Sequence, residues 1–367
     1  MNDEFYMRRA LDLAKKGWGR TSPNPMVGAV IVKDGRIIGE GWHHRDGQPH
    51  AEIECLASCT ESPEGSTIYV TLEPCTTHGR TGACSDAIIA AKIKSVKAGA
   101  IDPNPLHSGR AKSVFESAGI ECEFGILGDE CRKLNFIFNH AATKNEALLA
   151  IKCAKSADGK ISECRGKRTR ISSPESSAHL AKLRALFGAI AIGSGTLASD
   201  NPSLTIRGFP EGREEWAIPR IILSRRLSIA EIPNLRQLKV FSDKYKNLTR
   251  VVCDFDAPKE RFAKIEEIGA QIMTISHKGD TDFWSKLKSA LLGERISSLM
   301  VEGGAIIFES ILKTKSADFA CIYTSGTNIG PSGLDAFPTP KGFKIDEVYE
   351  SAKLGSDTFV AGTLKYA

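Results

Sequence analysis

The sequence lacks an apolar run of the roughly 20 residues that a membrane-spanning helix needs. Its first residues, MNDEFYMRRALDLAKKG, also lack the apolar segment of a secretory signal. No large excess of one charge is present, because 49 basic residues against 44 acidic ones leave a net charge of +5. Nucleic-acid binders usually carry a clearer basic excess or stripe. We therefore expect a cytoplasmic protein with neither a membrane nor a nucleic-acid partner.

The composition also argues against disorder and against a disulfide framework. Hydrophobic residues make up 41% and charged residues 25% of the chain, which is typical of a folded globular protein. Ten cysteines occur in a long chain without an export signal, so we expect reduced thiols. At about 150 residues per domain, a chain of 367 residues predicts two domains.

Residues 1–145 alternate helical and strand patterns. Apolar residues at helical spacing over 3–16 precede two strands, 27–33 and 36–41, which flank the turn dipeptide Asp34-Gly35. The other predicted elements are helices at 51–59, 84–91 and 110–118 and strands at 67–73 and 95–100. The pattern predicts an α/β layer protein with repeated β-α units.

Residues 146–367 start the same kind of pattern again. Apolar strands are predicted at 148–155, 189–195, 220–224, 251–255 and 298–304, with helices at 175–187, 258–268, 282–292 and 305–313. The polar segment 140–146 separates the two halves. We therefore predict domains of 1–145 and 146–367.

His50, Cys75 and Cys84 are residue types that form zinc sites. One imidazole and two thiolates are good zinc ligands, and three protein ligands leave a fourth position for water, as in catalytic sites. His50 and Cys84 each open a predicted helix, and a helix N-terminus favours a thiolate. The pattern predicts one Zn²⁺ per chain. In the alternative interpretation, His50 caps a helix and the cysteines are buried thiols.

Glu52 lies two residues beyond His50, close enough to sit beside a metal without binding it. It could carry a proton from a zinc-activated water to a leaving amine. A His-x-Glu segment followed by Pro-Cys-x-x-Cys is the signature of zinc deaminases, and His50-Ala51-Glu52 and Pro74-Cys75 match its first parts. A structural zinc module with a binding domain is the alternative outside enzymes, but it would normally have four protein ligands and no task for Glu52.

The two cysteines are farther apart than in the common deaminase pattern. Eight residues separate Cys75 from Cys84, and they include His78-Gly79-Arg80-Thr81. Three further segments accompany this insert: PNPMVG (23–28), GQPHAE (47–52) and DPNP (102–105). With these segments, residues 1–145 resemble the pyrimidine deaminases of the riboflavin pathway. A nucleic-acid base deaminase, the alternative, predicts a two-residue gap and a basic surface.

The second half resembles the reductase that is fused to this deaminase in many bacteria. The matching residues are Lys152, SADGK (156–160), ISSP (171–174), LRA (183–185), GSGT (193–196), DNPSLTIR (200–207) and EGG (302–304). The whole chain is similar to the bifunctional riboflavin biosynthesis deaminase–reductases. This resemblance implies an α/β fold with a cytidine-deaminase-like αβα domain followed by a dihydrofolate-reductase-like α/β domain that uses NADPH.

The resemblance also implies residue roles. Glu52 is the implied catalytic residue, and those implied for NADPH are Ala154, Arg170, Thr196, Asp200 and Gly304. Those implied for the substrate are Arg168, Arg184, Leu204, Arg207 and Glu302. Independently of the family, arginines can bind a sugar phosphate through paired hydrogen bonds, and glycines after strands let backbone amides approach phosphates. The G-x-G-x-x-G spacing of a Rossmann fold is absent.

Two arginines depart from the family pattern. Arg168 and Arg170 stand where the family has a serine and an aromatic residue, in a segment that also contains Arg165 and Lys167. Lys155 replaces a small residue. We expect a retuned and active site. The alternatives are an idle solvated loop and a deaminase joined to an inactive reductase.

The resemblance implies two successive reactions on a small phosphorylated pyrimidine. The first is hydrolytic deamination of 2,5-diamino-6-(ribosylamino)-4(3H)-pyrimidinone 5′-phosphate, which releases ammonia. The second is reduction of the ribosyl group to ribityl with NADPH. We also expect a homo-oligomer.

Overall fold

The computed structural model of the protein describes residues 2–78, 82–105, 107–164, 169–337 and 342–366. The chain forms two compact units, Met1–Asn145 and Glu146–Ala367. Each unit has its own cluster of buried hydrophobic residues around a mixed sheet, and helices alternate with strands along the chain. The predicted α/β class is confirmed.

The first unit contains a five-stranded sheet in the order β2-β1-β3-β4-β5. Its elements are α1 (Asp3–Ala14), β1 (Gly28–Lys33), β2 (Arg36–Trp42), α2 (Ala51–Ala57), β3 (Thr67–Leu72), α3 (Cys84–Ala90), β4 (Ser95–Ala100), α4 (Arg110–Ser117), β5 (Glu121–Phe124), α5 (Gly128–Leu134) and α6 (Phe136–Lys144). Strand β1 runs antiparallel to β2 and β3, whereas β3, β4 and β5 are parallel. The Asp34-Gly35 turn joins β1 to β2, as its sequence predicts.

Two glycines let α1 and α2 approach opposite faces of this sheet. A Cβ on Gly41 would meet the backbone of α2, at 2.5 Å from the carbonyl oxygen of Ala51. A Cβ on Gly28 would meet the backbone of α1, at 2.6 Å from the nitrogen of Ala14. Gly41 pairs with Ala29, the neighbour of Gly28, so the two glycines face opposite sides of the sheet.

The second unit is the larger of the two. Its first residue, Glu146, is also the first residue of the second predicted domain. Its elements are β6 (Leu148–Lys155), β7 (Lys160–Ser162), α7 (Pro174–Leu186), β8 (Ala189–Gly193), α8 (Ser194–Asp200), β9 (Arg220–Leu223), α9 (Lys239–Ser242), β10 (Thr249–Asp254), α10 (Lys259–Glu267), β11 (Gln271–Ile275), α11 (Asp280–Gly293), β12 (Ser298–Val301), α12 (Ala305–Lys313), β13 (Phe319–Thr324), β14 (Leu334–Asp335), β15 (Phe343–Leu354) and β16 (Asp357–Tyr366). Short 3₁₀ turns lie at Lys15–Gly17 in the first unit and at Ser228–Glu231, Leu235–Gln237 and Lys246–Leu248 in the second.

Nine of these strands form one sheet, in the order β11-β10-β9-β8-β12-β6-β13-β16-β15. The strands from β11 to β13 run parallel, and the hairpin β15–β16 adds two antiparallel strands at one edge. The sequence patterns did not predict this hairpin. Strand β15 is partly or fully exposed along its length, so it contains no apolar run of the kind that marks β8 or β12.

Strand β6 separates the two faces of the larger sheet. Leu149, Ile151 and Cys153 join the hydrophobic cluster that includes residues of α11 and α12. Because successive side chains in a strand alternate, Lys152 and Ala154 point to the opposite face. In the register of β6 and β13, Tyr323 lies beside Ala154.

No helix in the described ranges combines the length and apolar character that crossing a bilayer requires. All ten cysteines are free thiols, and Cys55, Cys131, Cys153, Cys253 and Cys321 are buried in the two cores.

Gly41→Ala tests the close approach of α2 to β2. The added methyl group would displace a helix backbone, so we expect a loss of about 1–3 kcal/mol in unfolding free energy. We also expect weaker retention of metal, since α2 carries His50 at its start. The control is Gly293→Ala, where a Cβ meets nothing within 4 Å. Denaturant titration compares the unfolding free energies of the two variants, and metal analysis compares their metal content. Equal stability of the two variants would contradict the prediction.

Candidate active site

Three chain segments bring His50, Cys75 and Cys84 together in the first unit. His50 is the N-cap of α2, with extended backbone, and its side chain makes no capping hydrogen bond. Cys84 is the first residue of α3. Cys75 lies three residues beyond the end of β3, a strand in the middle of the sheet. The histidine is therefore free of the capping role that the alternative interpretation gives it.

The separation of the three ligand atoms suits one tetrahedral metal ion. His50 Nδ1 lies 3.3 Å from Cys84 Sγ and 3.6 Å from Cys75 Sγ. Zinc–nitrogen and zinc–sulfur bonds of about 2.0 and 2.3 Å at a tetrahedral angle place such atoms about 3.5 Å apart. One ligand atom from each of the three residues lies within 4.8 Å of the others. The donor set and its spacing fit Zn²⁺.

Hydrogen bonds favour the thiolate of Cys75. The Cys84 thiol donates to Cys75 Sγ, and the backbone N–H of Cys84 donates to the same sulfur across 3.3 Å. These bonds, with the nearby His50, lower the pKa of Cys75 to about 4 against the opposing effect of burial. The Cys84 thiol shares its proton with Cys75, and this raises its own pKa. A cation bound here would replace that proton.

Glu52 lies on the first turn of α2, beside the metal ligands. It is buried, with 3% of its surface exposed, and is not among the three clustered ligands. Burial raises the pKa of Glu52 to about 7, with the Cys75 thiolate adding to the effect. A carboxyl group in this range can both accept and donate a proton near neutral pH.

His43 is a residue of this site that sequence reasoning missed. Its ring packs edge-on against the ring of His50, with centroids 5.6 Å apart. Its Nδ1 donates to the carbonyl of Pro49 at 3.0 Å, so its Nε2 accepts from the amide of Asn24 at 3.2 Å. The Asn24 amide also donates to Asp46 at 3.2 Å. Asn24 belongs to the PNPMVG segment that the resemblance used, and this was the only signal in the sequence.

Glu73 holds the segment that follows β4 against the metal site. Its carboxylate accepts backbone N–H groups from Asp102, Gly109 and Ala111, each at 2.9 Å. The carboxylate is buried, and the last of these donors lies in the first turn of α4. The DPNP segment is thereby fixed beside Cys75, two residues along the chain from Glu73.

In the second unit, Arg184 and Glu302 form a bidentate ion pair. The Nε and Nη2 atoms of Arg184 donate to the two carboxylate oxygens at 2.6 and 2.7 Å, and Nη1 donates to the carbonyl of Thr205 at 3.0 Å. Burial opposes ionisation of Glu302, but the Arg184 charge outweighs it and holds the pKa of Glu302 below its usual value. Burial lowers the pKa of Lys152, and the Glu302 charge opposes that shift.

Sequence reasoning named Lys152 as a matching residue but gave it no role. The structure places its ammonium in the field of both Glu302 and Arg184. When Lys152 is protonated, two cations and one anion leave an excess positive charge at a partly buried position. An anionic or electron-rich group is the natural complement of such a charge.

The glycines after β12 leave space next to α8, where a Cβ would make only ordinary contacts with Thr196 and Ile307. Gly303 and Gly304 have φ values of 143° and 101°, which residues with a side chain rarely adopt. A Cβ on Gly304 would stand 3.7 Å from Thr196 Oγ1. Helix α12 starts directly after Gly304, so its free N–H groups face this space. The residues fit the phosphates of a nicotinamide cofactor.

The other predicted contacts have different settings. Ala154 lies near the end of β6, and Asp200 ends α8 and accepts a hydrogen bond from Ser199. Leu204 is buried and has a φ of +52°. Arg207 is exposed and bonded to Glu215 and Ser203.

Arg170 is exposed just before α7. Arg168, with Arg165 and Lys167, lies outside the described residues, as do residues 79–81 of the insert between the cysteines.

Two family models match the chain. Residues 1–100 match the cytidine and deoxycytidylate deaminase zinc-binding region, and residues 147–357 match the RibD C-terminal domain. Riboflavin biosynthesis protein RibD of Aquifex aeolicus is 36% identical over 341 residues, covering 90% of this chain and 91% of the relative. RibD of Escherichia coli is 34% identical, covering 95% and 96%.

Solved structures resemble the full length of the chain. RibD of Acinetobacter baumannii matches with a TM-score of 0.84 and 30% identity, covering 100% of this chain and 99% of that one. A diaminohydroxyphosphoribosylaminopyrimidine deaminase/5-amino-6-(5-phosphoribosylamino)uracil reductase of Thermotoga maritima matches with a TM-score of 0.81 and 34% identity, covering 99% and 98%.

Replacing any one of the three clustered residues by alanine should abolish stoichiometric zinc binding. Two remaining ligands leave the ion without a closed coordination shell. Metal analysis measures the zinc content of purified His50→Ala, Cys75→Ala and Cys84→Ala. The parent protein should contain one zinc per chain. Cys164→Ser, an exposed cysteine far from the cluster in sequence, is the control. Full zinc content in any alanine variant would remove that residue from the ligand set.

Proposed function

The chain belongs to the RibD family of riboflavin biosynthesis proteins and is a bifunctional deaminase and reductase, and we propose how its residues divide the two activities. Residues 1–145 form the zinc-dependent deaminase, and residues 146–367 form an NADPH-dependent reductase. The division follows the two compact units, each of which has its own core and the size of an ordinary domain.

The proposal for the deaminase rests on one observation: three ligand atoms are gathered around a single point, with a buried carboxyl group beside them. His50, Cys75 and Cys84 hold Zn²⁺, which when bound lowers the pKa of a water ligand towards 7. Glu52 takes a proton at its carboxylate and gives it to the amino group that leaves. The backbone N–H of Cys84 and the fixed ring of His43 keep the site in shape before substrate arrives.

The substrate we propose is 2,5-diamino-6-(ribosylamino)-4(3H)-pyrimidinone 5′-phosphate. Water replaces one ring amino group, so a C–N bond breaks, a C–O bond forms and ammonia leaves. The product is a pyrimidinedione with its ribosyl phosphate intact, which is the substrate that the second unit requires.

Glu52→Gln should keep zinc and lose deamination. The amide has nearly the same shape but cannot shuttle a proton, and such catalysis contributes roughly 10²- to 10⁴-fold. Ammonia release and zinc content are measured on the same samples. Glu54→Gln, on the same helix, is the matched control and should retain both. Loss of zinc together with activity would show that Glu52 is a ligand or a structural residue.

For the reductase, the proposal rests on the partly buried set of Arg184, Glu302 and Lys152 and on the space at Gly304. NADPH, which supplies hydride when bound, is held by Ala154, Arg170, Thr196, Asp200 and Gly304. The substrate is held by Arg168, Arg184, Leu204, Arg207 and Glu302. Arg184 acts largely through Glu302, since its guanidinium group is already hydrogen-bonded to that carboxylate. Lys152 offers its positive charge to oxygen atoms of the ribosyl group.

The alternative of an inactive reductase is disfavoured by what the second unit retains. The ion pair and the extra cation are costly to keep in a fold that has no ligand. Arg170 is exposed and free to stack on or pair with a ligand in place of the aromatic residue.

Glu302→Gln should impair reduction alone. Loss of a charge-assisted hydrogen bond costs about 1.5–3 kcal/mol, or roughly 10- to 150-fold in kcat/KM. The assay incubates the diaminopyrimidine phosphate with the protein, with and without NADPH, and identifies products by mass. The deaminated product should form in both, and the ribityl product only with NADPH in the parent. Glu309→Gln, exposed on α12, is the control, and an unimpaired Glu302→Gln would overturn the assignment.

A further inference from the structure

A chain of three polar side chains runs from the surface into the second unit. Glu350 on β15 has a half-exposed carboxylate, and it lies 3.1 Å from Nε2 of His179 on α7. His179 Nδ1 lies 2.8 Å from the hydroxyl of Tyr323 on β13. Tyr323 is buried, with 2% of its surface exposed. Residues from three separate elements are thus aligned through one imidazole ring.

The hydrogen-bond acceptors among these three side chains set the direction of the hydrogen bonds. The Glu350 carboxylate can only accept, so the neutral His179 ring carries its proton on Nε2. The unprotonated Nδ1 must then accept, and the Tyr323 hydroxyl donates to it. The hydrogen bond from His179 lowers the pKa of Glu350, which keeps this carboxylate ionised.

Tyr323, the innermost of the three side chains, contacts the proposed reductase site. Lys152 Nζ lies over the Tyr323 ring, 5.6 Å from its centroid. Phe359 packs against both neighbouring rings, with centroids 4.6 Å from Tyr323 and 4.5 Å from His179, so the Tyr323 ring has little freedom to turn. A tyrosine that donates its hydroxyl proton gains electron density in its ring. This strengthens the attraction of the ring face for a cation.

The contact with the Tyr323 ring matters because the Lys152 side chain is long and flexible. Both oxygens of Glu302 are already engaged by Arg184. An ammonium group on a four-carbon stem has many rotamers, and ordering it costs up to about 2 kcal/mol. The aromatic face limits where the ammonium can lie.

We propose that Tyr323 is a positioning residue of the reductase, oriented by His179 and Glu350, and that its ring holds the Lys152 ammonium beside Glu302. This inference rests on the proposed reductase function and deepens it. The positioning residues reach Lys152 through packing and hydrogen bonds, and they take no part in bond changes.

Kinetics of the reductase test the proposal with the full-length protein, NADPH and the deaminated substrate. Tyr323→Phe keeps the ring and removes the hydroxyl, and we expect kcat to fall about 2- to 10-fold with KM for NADPH unchanged. The kcat of His179→Leu should fall by the same factor, and the kcat of the double variant should fall no further. His179→Asn should restore kcat, because its side-chain oxygen occupies the position of Nδ1.

A partly buried tyrosine, Tyr366, separates positioning from stability. The hydroxyl of Tyr366 donates to the backbone carbonyl of Ala317 and accepts from its N–H. Tyr366→Phe should therefore lose comparable stability in denaturant titration but keep kcat. Equal kcat losses in Tyr366→Phe and Tyr323→Phe would overturn the proposal, because the effect would then be general to the fold.

The protonation of His179 gives a test that needs no turnover. In ¹⁵N-detected correlations of the histidine rings, assigned through His179→Asn, we expect an unprotonated Nδ1 in the free protein at pH 8. A proton on Nδ1 would overturn the proposal, since Tyr323 could not then donate to it. An active parent with an unchanged Tyr323→Phe would overturn this proposal alone. A parent that oxidises no NADPH would overturn the proposed reductase site as well.

Discussion

Burial of the central strands on both faces confines polar chemistry to the ends of those strands. Strands β8 and β12 are fully buried, and β3 is buried over all but its first residue. A charged group along them would be desolvated without a partner, which costs several kcal/mol. Cys75 follows β3, and Glu302 follows β12. In each unit the chain then continues to a helix, α3 or α12, whose start lies near the end of that unit's own strand.

Within the described ranges, several buried charges are neutralised by partners, whereas the partly buried set of Arg184, Glu302 and Lys152 is not. Glu73 is satisfied by three backbone N–H groups. Arg220 is fully buried and bonded to Asp243, Thr249 and the carbonyls of Ser203 and Val240, so it stabilises the fold and holds the segment before Leu204. The set of Arg184, Glu302 and Lys152 retains an excess cation. Uncompensated charge of this kind is costly to fold, and a ligand that completes it can recover the cost.

The two sites share one physical property: their reacting groups are preorganised by hydrogen bonds. In the deaminase unit, hydrogen bonds fix the ring of His43 and the sulfur of Cys75, and in the reductase unit the hydrogen-bonded Tyr323 limits Lys152. A group that is already ordered loses less entropy when the reaction begins. Such order needs supporting residues that never touch the reacting atoms, and these residues carry no recognisable motif.

The sequence alone was sufficient to predict the α/β class, the family and the two activities. Motifs such as PHAE (49–52), EPC (73–75) and EGG (302–304) are local, and apolar periodicity marks β1, β3, β8 and β12 without reference to the rest of the chain. The same patterns missed β15, because this exposed edge strand has no apolar run.

Only the tertiary structure decided which distant side chains meet. Arg184 and Glu302 are 118 residues apart, and His179 is 144 residues from Tyr323 and 171 from Glu350. Their contacts depend on strand order, on the register of β6 with β13 and on the placement of α7, none of which short-range periodicity specifies. The residue types that do the chemistry can be read from local sequence. Their orientation and charge balance are set by packing between elements that lie far apart along the chain.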